Sequence, residues 1–251
     1  MKKSNLMSAV LGLVAGLIIG FMGANSINKS AYEVQPATPP SANAPNSNPA
    51  LPKDHPPIGT SAGEQAPNAQ GGPRPEVAAA IEKARAQPQN YEAQMTAADL
   101  YYQIQRFDEA AKFYEAAAKL KPSEVEPMIK AGNAYFDDAQ MAAKNDDNRT
   151  ATPRFVLAEK WYTQALQKEP RNITVRTDLG LTFFLREPPE LERAIREYKT
   201  ALSIDPNHEI TLQNLTVAYK AGGDQANYQA TLEKLKKVNP GNPVVMKPDA
   251  K

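Results

Sequence analysis

The chain has 251 residues, with 29 basic and 28 acidic side chains for a net charge of +1, and no cysteine. So even a balance supplies no field to gather nucleic acid. The lack of cysteine excludes disulfides, thiolate catalysis and cysteine-rich zinc sites.

Residues 1–5 carry Lys2 and Lys3, and Leu6 to Ala24 follow as nineteen residues without a charged side chain. As a helix that stretch is about 28 Å long, close to the roughly 30 Å hydrocarbon core of a bilayer. A cleaved signal peptide would need small residues three and one before the cut. Cleavage after Ala24 puts Met22 at the outer position, and cleavage after Ser26 puts Ala24 there. The length favours an uncleaved anchor over 6–27. Positive charge before it predicts a cytoplasmic N-terminus, with the rest of the chain on the far, periplasmic side of the inner membrane. Gly12, Gly16 and Gly20 recur on one face of this helix. Such a stripe permits close backbone contact between two membrane helices, and so a homodimer; glycine is also common in membrane spans generally.

Residues 28–73 are rich in Pro, Ala, Asn and Ser, and their few large apolar side chains include Tyr32, Val34, Leu51 and Ile58. Such a segment buries too little surface to offset chain entropy and reads as a disordered tether. It contains Gly59-Thr60-Ser61-Ala62-Gly63, the Gly-x-Ser-x-Gly spacing of serine hydrolases. That motif needs a strand before the serine and a helix after it, and a tether supplies neither, so a hydrolase using Ser61 is disfavoured. His55 and His208 lack a second histidine at zinc-protease spacing, and Asp146-Asp147-Asn148 lacks the glycine and distal glutamate of a calcium loop. No catalytic residue, cofactor or metal is expected.

From residue 74 the pattern becomes helical. Pro75 to Ala86 has Pro at its first turn and Val77, Ile81 and Ala84 on one face, which predicts a single capping helix over 74–89. Pro88, Pro122, Pro170, Pro206 and Pro240 then close helix-length segments at intervals of 34, 48, 36 and 34 residues. A period near 34 marks stacked helix–turn–helix units. The four units span 90–122, 123–170, 171–206 and 207–240, with a tail over 241–251. The first carries Ala98, Tyr101, Ala110, Tyr114 and Ala117, with Asp108 expected to cap its second helix. The second carries Met128, Ala131, Gly132 and Tyr135, then Ala158, Tyr162 and Ala165. Its 14 extra residues are expected at 138–153, with polar Asn145 to Arg149 as an extended loop and a first helix lengthened through Met141 as a further option. The third carries Leu179, Gly180 and Phe183, then Ala194, Tyr198 and Ala201, with Pro188-Pro189 between its helices. The fourth carries Leu212, Leu215 and Tyr219, then Leu232 and Leu235, with Gly222-Gly223-Asp224 as its turn and Tyr228 where a small residue is expected.

These units resemble the tetratricopeptide repeat family, in particular its membrane-anchored bacterial members. The motif's Leu-Gly is literal only at Leu179-Gly180, and its large first residue is Gln94 and Arg176 in the first and third units. The resemblance implies an all-α solenoid of four repeats behind a capping half-repeat, a non-enzymatic protein that binds a peptide or protein segment in a concave groove lined by the first helices. It places Met95, Asp99, Tyr102, Ile129, Asn133, Phe136, Thr177, Leu181, Phe184 and Val217 on that groove. Tyr102, Phe136 and Phe184 would form an aromatic ladder; the alternative is that these rings pack against the neighbouring unit. The carboxylate clamp of chaperone-binding members is absent, since its positions hold Met95, Asp99, Lys130, Thr174 and Asp178. Glu92, Asp99, Glu126, Asp137 and Asp178 make the groove acidic, which suits a neutral or basic segment. The main expectation is a membrane-tethered interaction scaffold. The second, again by resemblance, is an assembly factor like the membrane-bound repeat proteins of c-type cytochrome maturation.

Overall fold

The computed structural model describes residues 75–248, and within them all regular structure is helical. The expected anchor, its glycine stripe, the tether and Ser61 lie outside the described residues. Among the described residues no helix is long and apolar enough to cross a membrane.

The first helix, α1 (Pro75–Ala86), stands alone, with Val77, Ile81 and Ala84 buried as expected. Four antiparallel pairs follow: α2 (Tyr91–Gln103) with α3 (Phe107–Leu120), α4 (Glu126–Lys144) with α5 (Asn148–Lys168), α6 (Ile173–Phe184) with α7 (Leu191–Ile204), and α8 (Glu209–Ala221) with α9 (Gln225–Val238). Each helix packs against its neighbours in the chain, so the architecture is a one-dimensional stack. The short helix α10 (Pro243–Met246) closes it.

Small residues make the pairs close. Ala98, Ala110, Ala117, Ala131, Ala158 and Ala194 keep none of their surface exposed in the interior of the stack. At Gly132 and Gly180 not even a methyl fits. A Cβ would lie 2.6 Å from Cδ1 of Tyr162 at the first and 2.5 Å from Cε1 of Tyr198 at the second. The second-helix tyrosine therefore lies flat on the first-helix backbone, which is why the second and third units need glycine there.

Capping follows the polar residues before each helix. Asn90, Asp147, Asn172 and Asp224 accept from the backbone N–H three residues on, at 3.1, 3.2, 3.1 and 3.1 Å. Asp108 does not cap α3; it lies inside the first turn, where its charge suits the helix dipole, and Arg106 holds the cap position without a side-chain bond. Gly223 takes a positive φ of 73° in the α8–α9 turn. The Glu187–Pro188 peptide between α6 and α7 is cis.

The insertion differs most from expectation. The first helix, α4, is lengthened as allowed for, past Met141 to Lys144, but the extended loop is not there: α5 begins at Asn148, leaving residues 145–147 between the two. Fourteen residues are about four helical turns, so two extra turns on each helix absorb them while keeping the register. Ala139, Ala142 and Ala151 are buried within this extension. The tail likewise holds the unforeseen α10, started by Asn242, which accepts from the Val244 N–H at 3.0 Å, and by Pro243 at its first position.

Candidate binding face

The first helices of successive units lie side by side, and hydrogen bonds join them. The Tyr102 hydroxyl on α2 donates to Asp137 on α4. Lys130 on α4 reaches back to Asp99 on α2 at 3.0 Å. Thr177 on α6 and Thr211 on α8 share a buried hydroxyl bond of 2.6 Å. Between these helices the second-helix tyrosines bring up their hydroxyls. Tyr114 donates to Asp99 at 2.5 Å and Tyr162 to Asn133 at 2.9 Å.

The ten expected groove residues fall into two groups. Asp99, Tyr102, Ile129, Asn133 and Phe184 are half-buried and keep part of their surface on this face. Met95, Phe136, Thr177, Leu181 and Val217 are buried. Phe136 retains 1% of its surface, edge-on to Phe155 at 5.5 Å between centroids. It fills the junction where the lengthened α4 and α5 pack, so the aromatic ladder is broken at its middle rung and that ring is a packing residue. Tyr102 sits edge-on to Phe107, 5.1 Å between centroids. The accessible surface is thus a row of carboxylates, amides and hydroxyls with an aromatic edge at either end.

Electrostatics along the row are uneven. At the first junction Lys130 lies 3.0 Å from both Asp99 and Glu126 and 5.7 Å from the centre of the Tyr114 ring. Burial alone would lower its pKa, but Asp99 and Glu126 outweigh burial and raise it. Burial and the Asp99 bond push the Tyr114 hydroxyl above the usual tyrosine range. At the second junction Asp178 has no ion pair among the described residues. Burial, and then the charge of Asp137, push its pKa up to about 7. Tyr198 is fully enclosed, and its hydroxyl has no hydrogen-bond partner among the described residues.

Several polar residues escaped sequence reasoning. Gln94 and Arg176, which stand where the repeat motif asks for a large residue, tie their units to the preceding one. Gln94 donates to the carbonyl of Ala84 at 2.7 Å and Arg176 to that of Pro170 at 3.0 Å, and within its own unit Arg176 also holds Glu197 at 2.8 Å. Glu115 accepts from both Tyr135 and Trp161 at 2.9 Å. Arg186, 6% exposed, binds Glu159, Glu190 at 2.6 Å and the Phe155 carbonyl at 3.3 Å, while Arg193 spans Glu159 and Glu190 from the other side. The charge alternation around Pro188-Pro189 was the one available signal for this network. His208 starts α8 and bonds Thr211 at 2.7 Å. Among the described residues no group of three or more His, Cys, Asp or Glu is placed to hold a metal ion.

A stack of helix–turn–helix units whose first helices share one polar face defines the α-solenoid repeat class. Residues 91–124 match the family model described as tetratricopeptide repeat, the unit formed by α2 and α3. Solved structures with the same architecture include MamA, at 18% identity and a TM-score of 0.52 over 65% of this chain and 81% of that one. MamA from Desulfovibrio magneticus RS-1 matches at 16% identity and a TM-score of 0.52 over 72% and 89% of the two chains. TTC0263, a thermophilic tetratricopeptide repeat protein of Thermus thermophilus, matches at 17% and 0.51 over 68% and 86%. At such identities the likeness is one of fold, and the chain folds as a tetratricopeptide repeat solenoid. No curated protein matches the sequence.

Proposed function

We propose that this protein is an interaction scaffold that binds a segment of another protein along the face built by α2, α4, α6 and α8, and that residues 6–27 tether it to a membrane with the repeats on the extracytoplasmic side. The observation that carries the binding reading is the half-buried row Asp99, Tyr102, Ile129, Asn133 and Phe184. It offers hydrogen-bonding groups and ring edges on a scaffold made rigid by buried helix pairs. An extended segment needs donors and acceptors for its backbone and apolar edges for its side chains, at low entropic cost. The tether reading rests on the length of the uncharged run after Lys2-Lys3.

The test is crosslinked capture from membranes with the full chain, the pair Tyr102→Ala and Phe184→Ala, and an outer-face pair Lys119→Ala and Lys199→Ala. Loss of the same captured partner in the first pair alone, with helical content retained, supports the reading. Equal capture by all three refutes it. On cells with a permeabilised outer barrier, added protease should release a soluble repeat domain from the membrane. Full protection of the chain would refute the tethered topology.

A further inference from the structure

Each inner unit has its first helix packed between two second helices, its own and that of the preceding unit. Three positions recur around it: the residue after the tyrosine of the preceding second helix, the core aromatic of the first helix, and the residue before the tyrosine of its own second helix. Around α4 these positions hold Glu115, Tyr135 and Trp161. Glu115 accepts from the Tyr135 hydroxyl and from the Trp161 indole N–H, both at 2.9 Å, and the indole is buried. The groove between α3 and α5 is therefore filled by the single tryptophan of the chain.

Around α6 the same three positions hold Thr163, Phe183 and Glu197. The carboxylate has become a hydroxyl, the tyrosine has lost its hydroxyl, and the indole has become a glutamate that turns to Arg176 at 2.8 Å. In place of a filled groove there is a cleft of about 260 Å³, lined by all three residues. Leu166, Leu179 and Phe183, each buried, form its apolar wall. The Arg193 guanidinium lies over the Phe183 ring, 3.8 Å from its centre, and is held there by Glu159. Both arginines that line the cleft are thus paired with glutamates that also line it. The four charges balance, so the cleft favours neither an acid nor a base. Flat guanidinium groups beside an apolar wall suit an aromatic ring instead. The volume falls below the roughly 300–1,000 Å³ of small-molecule sites and suits one inserted side chain.

We propose that the cleft between α5 and α7 docks an aromatic side chain, a tryptophan or tyrosine presented by a partner protein, in the place that Trp161 holds one unit earlier. The chain's own indole is the template for the occupant, because it fills the equivalent groove between the same elements of the preceding unit. The inserted ring covers Leu166, Leu179 and Phe183, and Arg193 supplies the cation beside it. An aromatic anchor buried in a pocket is where binding energy concentrates at protein interfaces. None of Asp99, Tyr102, Ile129, Asn133 and Phe184 lines this cleft. The proposal therefore goes beyond the binding face of the first helices and does not depend on it.

The probe is the capped peptide Gly-Ser-Gly-Trp-Gly-Ser-Gly with a 5-fluoroindole ring, its fluorine resonance followed on titration with the full chain in detergent. The wild type should bind it saturably. The unlabelled peptide should displace it, and a companion with Leu for Trp should do so about fivefold less readily. Glu197→Trp, which fills the cleft from α7 as Trp161 fills the groove before it, should remove saturable binding. Thr163→Tyr, at an exposed position lining the cleft, should remove it as well with unchanged helical signal. Uptake by detergent alone is the signal left in those two variants. Lys199→Ala, exposed on α7 outside the cleft, should bind as the wild type does. If Glu197→Trp loses helical signal because Arg176 loses its partner, Thr163→Tyr decides alone. Binding that Thr163→Tyr leaves intact, equal displacement by the leucine peptide, or no saturable binding to the wild type would each overturn the proposal. Tighter binding to Tyr32→Ala would mean that the chain's own tyrosine competes for the cleft, and would overturn a partner protein as the occupant.

Discussion

Replacing Asp178 by Asn should stabilise the repeat domain, and the gain should depend on pH in a defined direction. In the folded protein burial and Asp137 push the Asp178 pKa from 3.8 up to about 7. A carboxyl whose folded pKa exceeds its unfolded pKa binds more protons when folded, so its contribution is full below the unfolded value and is lost as pH rises through the folded value. The window therefore runs from about pH 4 to about pH 7. A shift of roughly three units corresponds to about 4 kcal/mol as a ceiling. Asp178 keeps part of its surface, and solvent screening reduces the expected cost of the ionised form to about 1–2 kcal/mol. Asparagine has nearly the shape of the neutral acid and never ionises. Urea denaturation followed by far-ultraviolet circular dichroism should find Asp178→Asn about 1–2 kcal/mol more stable than wild type near pH 8 and nearly equal to it near pH 4. Other carboxylates titrate in the same range, but they do so in both proteins and cancel in the difference. A gap of the same size at both pH values, or a variant less stable than wild type near pH 8, would refute the reasoning.

Two further outcomes follow from the packing. Gly180→Ala gains up to about 1 kcal/mol of helix propensity but forces a methyl to 2.5 Å from the enclosed Tyr198 ring, so overpacking of about 1–3 kcal/mol should win and lower the denaturation midpoint; Gly222→Ala, whose nearest contact is 3.5 Å, should be neutral or slightly stabilising in the same assay. Arg186→Ala should cost about 2–3 kcal/mol in urea denaturation, because Glu159 and Glu190 keep only Arg193; Arg186→Lys should not restore the loss, since one ammonium cannot replace a guanidinium that reaches Glu159, Glu190 and the Phe155 carbonyl together, and a full rescue by lysine would contradict the network.

What the amino-acid sequence determined by itself is the repeat. The proline spacing, the alanines and glycines of the crossings, Tyr101, Tyr114, Tyr162 and Tyr198, and the capping helix with Val77, Ile81 and Ala84 all lie where the periodicity placed them. These features are local: one helix pair repeats the same steric problem, and the same small and large residues solve it each time. The loop within the insertion was misread because polarity at Asn145 to Arg149 marks only the turn, while the flanking alanines become core once two helices lengthen together. The binding face was legible as a set of positions but not as a surface. Position equivalence put Tyr102, Phe136 and Phe184 in one row, yet Phe136 is sealed against Phe155, while Tyr102, edge-on to Phe107 at the equivalent place one unit earlier, keeps part of its surface. The second junction was invisible in the same way. Nothing in the local sequence of Asp178 says that the charge of Asp137 reaches it or that the Tyr198 hydroxyl is buried without a partner among the described residues. Those relations depend on how one unit is set against the next, and only the packed stack decides which charges meet and which hydroxyl is left without a partner.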